Sequence, residues 1–512
     1  MPARTLRAPG TLLPVTLFVG VLLAYVSFSP GSIRWMGYAQ EDTRAAERMA
    51  GNLSNWLRLR PAAAPIIPTR HGILEVIVKQ PFALTALWLR SSSPRLSDGV
   101  EALEPILETA LIVVLVFVWL RRLCASERWA WVLAMGAGFS TFLWPYAYMG
   151  METTQSLAVL VAGYLALAPP APRGWRRTIV LSLASACAVS VKSTGFLLLP
   201  AVGFLGYQYF RTNWDIGKAR RRAQAAFFVV TVLATRAATW YCVVAYFAGG
   251  SHVTTHVEGQ LATDPLAVPF SFVSYLFSAN KGLLVFAPLA LLALARFRHV
   301  DEEGRPALLF ALATLGGLAL GFSMLSTWTD ETWGPRYLHS AIAPLVIALG
   351  ASRRREVPAL RREWAVILSL AVGGGVNFLG CAIHYGALHT AMVEASQHTL
   401  EGAQSDPVWN HVRFNARVFG VWLARLGGTD GARVWTPAHR WWLRDAPQGW
   451  SWKPVDLAPL ARPQPLVLRL WQEGTTIPLR ALWLALLVTA VLGLAILGWT
   501  ARVVWRADRA SS

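Results

Sequence analysis

Apolar residues in this chain run in long blocks, as at 109–120 and 482–498, instead of alternating with polar ones. Blocks of about 20 apolar residues, at 1.5 Å rise each, match a hydrocarbon core ~30 Å thick. Backbone groups inside lipid must be satisfied within the segment, so these blocks are read as helices. Spans are predicted near 11–29, 102–120, 129–147, 152–169, 178–191, 194–210, 223–247, 281–295, 306–327, 337–350, 364–384 and 481–501. The expected fold class is all-α, a polytopic bundle of about 12 transmembrane helices. Spans 178–191 and 194–210 are short and joined by Lys192-Ser193, which predicts a tight turn at Lys192.

Two segments between spans are too long to be turns, and both are expected on the outer face of the membrane. In 30–101, an acidic helix start precedes a Pro-rich stretch and then an amphipathic run, 73–90. That run sets Leu74, Val78, Phe82 and Leu87 against Glu75, Lys79 and Gln80, as in a helix lying in the membrane interface. The other segment, 385–478, is polar and rich in Trp and Pro, its tryptophans suiting the headgroup belt. The division expected is therefore 1–384, a transmembrane catalytic region including outer loop 30–101. It is followed by an outer-face segment 385–478, and by 479–512 with the last span and a cytoplasmic tail.

The chain is 54% hydrophobic and 15% charged, with a net charge of +19. Such a charge would fit nucleic-acid binding, but its placement excludes that reading. The basic residues cluster at Arg121/Arg122/Arg128, Arg173/Arg176/Arg177, Arg211/Lys218/Arg220, Arg353/Arg354/Arg355 and Arg502/Arg506/Arg509. These fall on alternate inter-span segments, whereas the short segments between them hold Lys192, Lys281 and Arg336. Under the positive-inside rule both termini are cytoplasmic and the last three residues face out. The first span is read as an uncleaved helix, because Ser27-Phe28-Ser29-Pro30 is a poor cleavage site. Cys124, Cys187, Cys242 and Cys381 lie in or beside spans, so no structural disulfide is expected.

Ionisable groups at membrane depth are costly and mark candidate function. Glu41-Asp42 opens the polar run after the first span, where the acids serve either as a helix cap or as a base and metal ligand. Glu152 opens span 152–169 after a three-residue turn, placed either to satisfy the helix dipole or to meet the first loop. Lysine is scarce beside arginine, so Lys192 and Lys281 at span ends are not compositional habit. Arg336, in Trp328-Thr329-Asp330-Glu331-Thr332-Trp333-Gly334-Pro335-Arg336-Tyr337, offers a bidentate grip on phosphate or pairs with its acidic neighbours. Arg236 falls deep in a span and needs a partner, either a buried carboxylate or a lipid phosphate. Outward carboxylates able to deprotonate a hydroxyl, beside cations able to stabilise a phosphate leaving group, suit transfer from a lipid-phosphate donor.

In motif order the chain resembles the GT-C superfamily of polyprenyl-phosphate-dependent glycosyltransferases, near protein O-mannosyltransferases and lipid A aminoarabinose transferases. Glu41-Asp42-Thr43-Arg44-Ala45-Ala46-Glu47 is similar to that family's first-loop Asp-Glu-Thr-Arg-Tyr-Ala-Glu, with the two acids exchanged. Glu152 resembles its second acid, and Lys192-Ser193-Thr194-Gly195-Phe196-Leu197-Leu198 its phosphate-binding lysine segment. Lys281-Gly282 and Gly334-Pro335-Arg336-Tyr337-Leu338 look like segments of its bacterial members. The resemblance implies a GT-C-type fold, Glu41 and Asp42 as catalytic acids, and Glu152, Lys192, Lys281, Arg336 and Tyr337 in substrate binding. It also implies a divalent metal held by Asp42 and Glu152. Relatives often carry Glu-Lys-Pro-Pro where this chain has Thr69-Arg70-His71-Gly72-Ile73-Leu74-Glu75, so neither His71 nor Glu75 is assigned a metal.

The resulting expectation is a glycosyltransferase of a bacterial inner membrane with its site facing the periplasm or cell exterior. It would move a hexose or pentose from a polyprenyl-phosphate sugar to an envelope glycan, lipid or protein. Its partners are the lipid-linked donor, membrane lipids and that acceptor, with no nucleic acid. The alternative is a multi-pass transporter or lipid flippase, which would show mid-membrane charges and broken helices in paired halves.

Overall fold

The computed structural model describes residues 12–31, 39–57, 73–124, 126–150, 152–168, 174–212, 217–248, 266–324, 333–352, 363–383, 387–388, 390–391, 410–429, 434–435, 455–461, 465–473 and 477–511. The chain's described residues are overwhelmingly helical, as in a polytopic membrane protein. Its first helices are α1 (Leu12–Phe28), α2 (Ala39–Leu57), α3 (Ile73–Val78), α4 (Gln80–Arg90) and α5 (Pro94–Leu123). They are followed by α6 (Glu127–Phe139), α7 (Leu143–Met149), α8 (Thr153–Leu167), α9 (Trp175–Ser190), α10 (Leu199–Arg211) and α11 (Lys218–Ala248). Then come α12 (Ala267–Phe277), α13 (Leu283–Phe286), α14 (Pro288–Ala295), α15 (Arg305–Met324), α16 (His339–Ala351) and α17 (Trp364–Ala382). The last are α18 (His411–Leu426), α19 (Leu466–Glu473) and α20 (Ile477–Ser511). Two-residue strands, Val434–Trp435 and Val455–Asp456, pair antiparallel.

Among the described residues, five helices are long and apolar enough to cross a membrane: Leu96–Leu123, Lys218–Cys242, Arg305–Met324, Trp364–Ala382 and Leu479–Asp508. On α20, Leu484, Val488, Val491, Leu492 and Leu494 are exposed, as are Val230 and Leu233 on α11 and Leu368 on α17. In water such faces would be a liability; against lipid tails they cost nothing. Burial instead marks the bundle's axis. Every residue of α16 is buried, and α5, α8, α14 and α15 pack around it.

Glycines let the outermost pair approach closely. A Cβ on Gly493 would lie 2.9 Å from the Ala24 nitrogen, and one on Gly20 would lie 3.0 Å from side-chain carbons of Ile496 and Leu497. This antiparallel register binds α20 to α1, the first helix to the last, with van der Waals contact in place of a hydrophobic drive.

Two predicted spans are broken, each at a proline. In 129–147 the chain leaves helix at Ser140, and α7 starts at Leu143. Pro145 cannot donate its nitrogen and its ring would strike the Thr141 carbonyl of a continuous helix. The freed Ser140 carbonyl is where α17 crosses: a Cβ on Gly373 would stand 2.1 Å from that oxygen. Pro288 likewise divides 281–295 into α13 and α14. The helices α12 and α18 fall outside the predicted spans; α18 packs on α17.

The amphipathic run 73–90 is folded the other way round from the sequence expectation. Glu75, Lys79 and Gln80 are the buried face, while Leu74, Val78, Phe82 and Leu87 are only half-buried. The reason is α5, which presents buried Glu101, Glu104 and Glu108 on one side. Lys79 Nζ lies 2.7 Å from Glu104 and 3.2 Å from Glu75. A hydrocarbon face would leave those carboxylates unpaired. The helix α2 closes over this layer through Ala45, Ala46 and Ala50, which pack on Val76 and Ala83.

Candidate functional site

Three helix ends meet at one side of the bundle, and each brings a charge. Gly150 ends α7 at φ +63, the left-handed position glycine takes most easily. Two residues later Glu152 adopts φ 63, ψ −5 as it caps α8. Among the described residues it is the one non-glycine with positive φ. That conformation costs a side-chain-bearing residue about 1–2 kcal/mol, so something must hold it there.

Lys192 and Arg336 do so. Lys192 follows α9 at the turn expected there, and its Nζ donates to Glu152 Oε1 at 2.6 Å. Arg336 opens the 3-10 turn Arg336–Leu338 before α16, and its Nε lies 3.9 Å from the same Oε1. The Arg336 guanidinium also rests over the Tyr337 ring at 4.5 Å and donates to its hydroxyl at 2.6 Å. Tyr337 in turn stacks on Phe322, centroids 4.2 Å apart and planes 23° from parallel. Both cations therefore face the buried Glu152 carboxylate and offset its burial.

The lysine turn is built from its own carbonyls. Arg236 donates to the carbonyls of Val189 at 3.2 Å, Lys192 at 3.0 Å and Ser193 at 2.6 Å. Its guanidinium also lies near the Phe196 and Trp240 rings. The carboxylate or lipid phosphate expected for Arg236 is therefore replaced by main-chain oxygens left over where α9 ends. Gly195 closes the turn, since a Cβ there would sit 2.5 Å from the Val189 carbonyl oxygen. Gly195→Ala is expected to cost about 1–3 kcal/mol by overpacking against backbone and to expose Lys192 to amine-modifying reagents. Thermal melting and mass-spectrometric labelling read both effects; wild-type values in the two assays would contradict this role.

Beside Glu152 stand the glutamates of α5, which sequence reasoning missed. Thr153 donates to Glu108 at 2.7 Å and Thr154 at 2.9 Å, so the first turn of α8 hangs on a buried carboxylate. The available signal was the spacing of 101, 104 and 108, which shares one helix face at the end of a span.

Of the residues expected from sequence, Glu152, Lys192, Arg336 and Tyr337 come together. Lys281 is buried on a different turn, between α12 and α13, where Asn410 bonds the Ala279 carbonyl and Asn280 Oδ1. Glu41 and Asp42 lie in the first turn of α2, but their side chains are outside the described residues, as are Asp330, Glu331 and His71. Among the described residues no group of three or more His, Cys, Asp or Glu is arranged to hold a metal. Glu152 itself fits that role poorly, since a divalent ion would have to stand against Lys192 and Arg336.

No protein-family model matches the chain, and no curated protein matches it. Among solved structures, it is similar to ArnT from Cupriavidus metallidurans bound to undecaprenyl phosphate. The identity is 15% and the TM-score 0.45, over 96% of this chain and 76% of that one. The apo state of the same protein gives 16% identity and a TM-score of 0.45, over 95% and 77% of the two chains.

Proposed function

We propose that this protein is a membrane glycosyltransferase that takes a sugar from a polyprenyl-phosphate carrier on the extracytoplasmic side of a bacterial inner membrane. The observation that carries the reading is the convergence of Lys192 and Arg336 on one carboxylate oxygen of Glu152. An anionic oxygen shared by an ammonium and a guanidinium is the environment a leaving phosphate requires.

In the proposed reaction an acceptor hydroxyl attacks the anomeric carbon, and the bond from that carbon to the carrier phosphate oxygen breaks. The phosphate leaves with the bonding electrons, stabilised by Lys192 and Arg336, so it needs no general acid. The hydroxyl proton passes to Glu41 or Asp42, and the sugar configuration inverts. Tyr337 orients Arg336 by stacking and hydrogen bonding, and Glu152 bridges the two cations. Lys281, on its separate turn, is proposed as a further cation for the donor phosphate. No step is routed through a metal.

The test is direct. Purified protein is incubated with radiolabelled undecaprenyl-phosphate hexoses and pentoses and with envelope extracts as acceptors. Release of free undecaprenyl phosphate above a Lys192→Gln, Arg336→Gln control is expected for at least one donor. Equal background release from both proteins with every donor would overturn the reading.

A further inference from the structure

A second buried polar layer lies one helical turn inward from the charges, and its members belong to the same three helices. On α8, Gln155 and Ser156 follow Glu152 by three and four residues. On α16, His339 and Ser340 follow Arg336 by three and four, and on α9, Ala188 precedes Lys192 by four. Glu152 caps α8, Lys192 follows the end of α9 and Arg336 sits in the 3-10 turn before α16, so the layer occupies the first turns of α8 and α16 and the last turn of α9, next to the three charges.

The layer is bonded across all three helices. Gln155 Nε2 donates to the Ala188 carbonyl at 3.0 Å, tying α8 to α9. Ser156 Oγ lies 2.6 Å from His339 Nδ1 and 3.0 Å from Ser340 Oγ, tying α8 to α16. Ser340 Oγ reaches Gln155 Oε1 at 3.4 Å and closes the ring. The Ser156 hydroxyl donates to the carbonyl of Glu152 itself, at 2.8 Å. With that proton on the Glu152 carbonyl, the 2.6 Å contact takes its hydrogen from the Nδ1–H tautomer of His339. Among the described residues His339 Nε2 has no hydrogen-bond partner and the ring lies against Tyr146 and Phe142, so the Nδ1 side is the one that joins the network.

We propose that Gln155, Ser156, His339 and Ser340 are positioning residues that set the spacing of Glu152, Lys192 and Arg336 for one phosphate group. Apolar side chains of similar size would pack three helix ends as well, but would leave them free to slide. Hydrogen bonds fix register, and a carbonyl held by Ser156 resists relaxation of the left-handed Glu152. This inference rests on the phosphate-site reading above.

The test uses the full chain in detergent and compares affinity for undecaprenyl phosphate with affinity for undecaprenol, which shares the chain but lacks the phosphate. A general loss of structure weakens both; a misplaced charge layer weakens only the first. Ser156→Ala and His339→Leu are each expected to lower the preference for the phosphate about tenfold, which is ~1.4 kcal/mol. His339→Asn, whose amide stands where Nδ1 does, is expected to restore it, and His339→Gln, which places its amide near Nε2, to fail. Unchanged preference in Ser156→Ala and His339→Leu would overturn the inference, as would equal rescue by Asn and Gln. If Lys192→Gln with Arg336→Gln lowers the preference while the inner-layer variants do not, only this inference falls. If that double variant also keeps wild-type preference, the phosphate site falls with it.

Discussion

Lys79→Met should destabilise the protein by about 3–5 kcal/mol, the scale for removing one partner of a buried ion pair. Methionine nearly matches lysine in length, so packing is kept and only the charge is lost. Lys79 is 5% exposed, with Glu75 at 3%, Glu104 at 1% and Glu108 at 7%. Burial alone would drive off the lysine proton, yet Glu104 and Glu75 outweigh it and keep the amine charged. Without that ammonium, two carboxylates that now face it are left in a site closed to water. The first loss should be local, because Lys79 is where α3 and α4 are fastened to α5. Melting in detergent should fall, and limited proteolysis should cut before α5 at temperatures where wild type resists. Adding Glu104→Gln and Glu75→Gln to Lys79→Met should recover most of the stability, since the triple variant buries neutral groups. A single variant that melts and resists protease as wild type does would show that the lysine is dispensable.

The same residues show what the sequence carried and what it hid. Helices and their approximate limits were legible because lipid imposes one demand on every residue of a span, so α1, α8, α17 and α20 appear as apolar blocks. The turn at Lys192 was legible for a related reason: two short spans with no room for a loop. Residues 73–90 were misread because amphipathicity says that a helix has two faces, not which one meets the protein. Only the three glutamates of α5, distant in sequence, decide that the polar face turns inward. The breaks at Ser140 and Ala287 were hidden by hydropathy averaging, although Pro145 and Pro288 marked them. Arg236 was expected to seek a charge because intrahelical arithmetic leaves no free carbonyls; its partners exist only where α9 stops. Glu152, Lys192 and Arg336 were each visible as costly groups at span ends. That they share one oxygen was not, because it depends on how the start of α8, the end of α9 and the turn before α16 meet in space.

Glu41→Gln combined with Asp42→Asn should abolish sugar transfer while leaving undecaprenyl phosphate bound and the protein folded. Removing a general base typically costs 10²–10⁴-fold in rate, so a loss of about 10³-fold is expected. The two acids fall in the first turn of α2. The helix that carries them is also tied toward the proposed phosphate site. Gln80 donates to the Ala46 carbonyl of α2 at 3.2 Å, and its neighbour Lys79 grips Glu104. One turn along α5, Glu108 holds Thr153 and Thr154, the residues directly after Glu152. A helix so tied keeps its place when two carboxylates become their amides, which match them in shape. The loss should therefore appear in turnover with no change in melting temperature or in phosphate affinity. Single variants then identify the base: Asp42→Asn or Glu41→Gln alone should reproduce the double variant, and the other should retain most activity. Transfer by the double variant within tenfold of wild type would remove α2 from the chemistry and leave the proton to another acceptor.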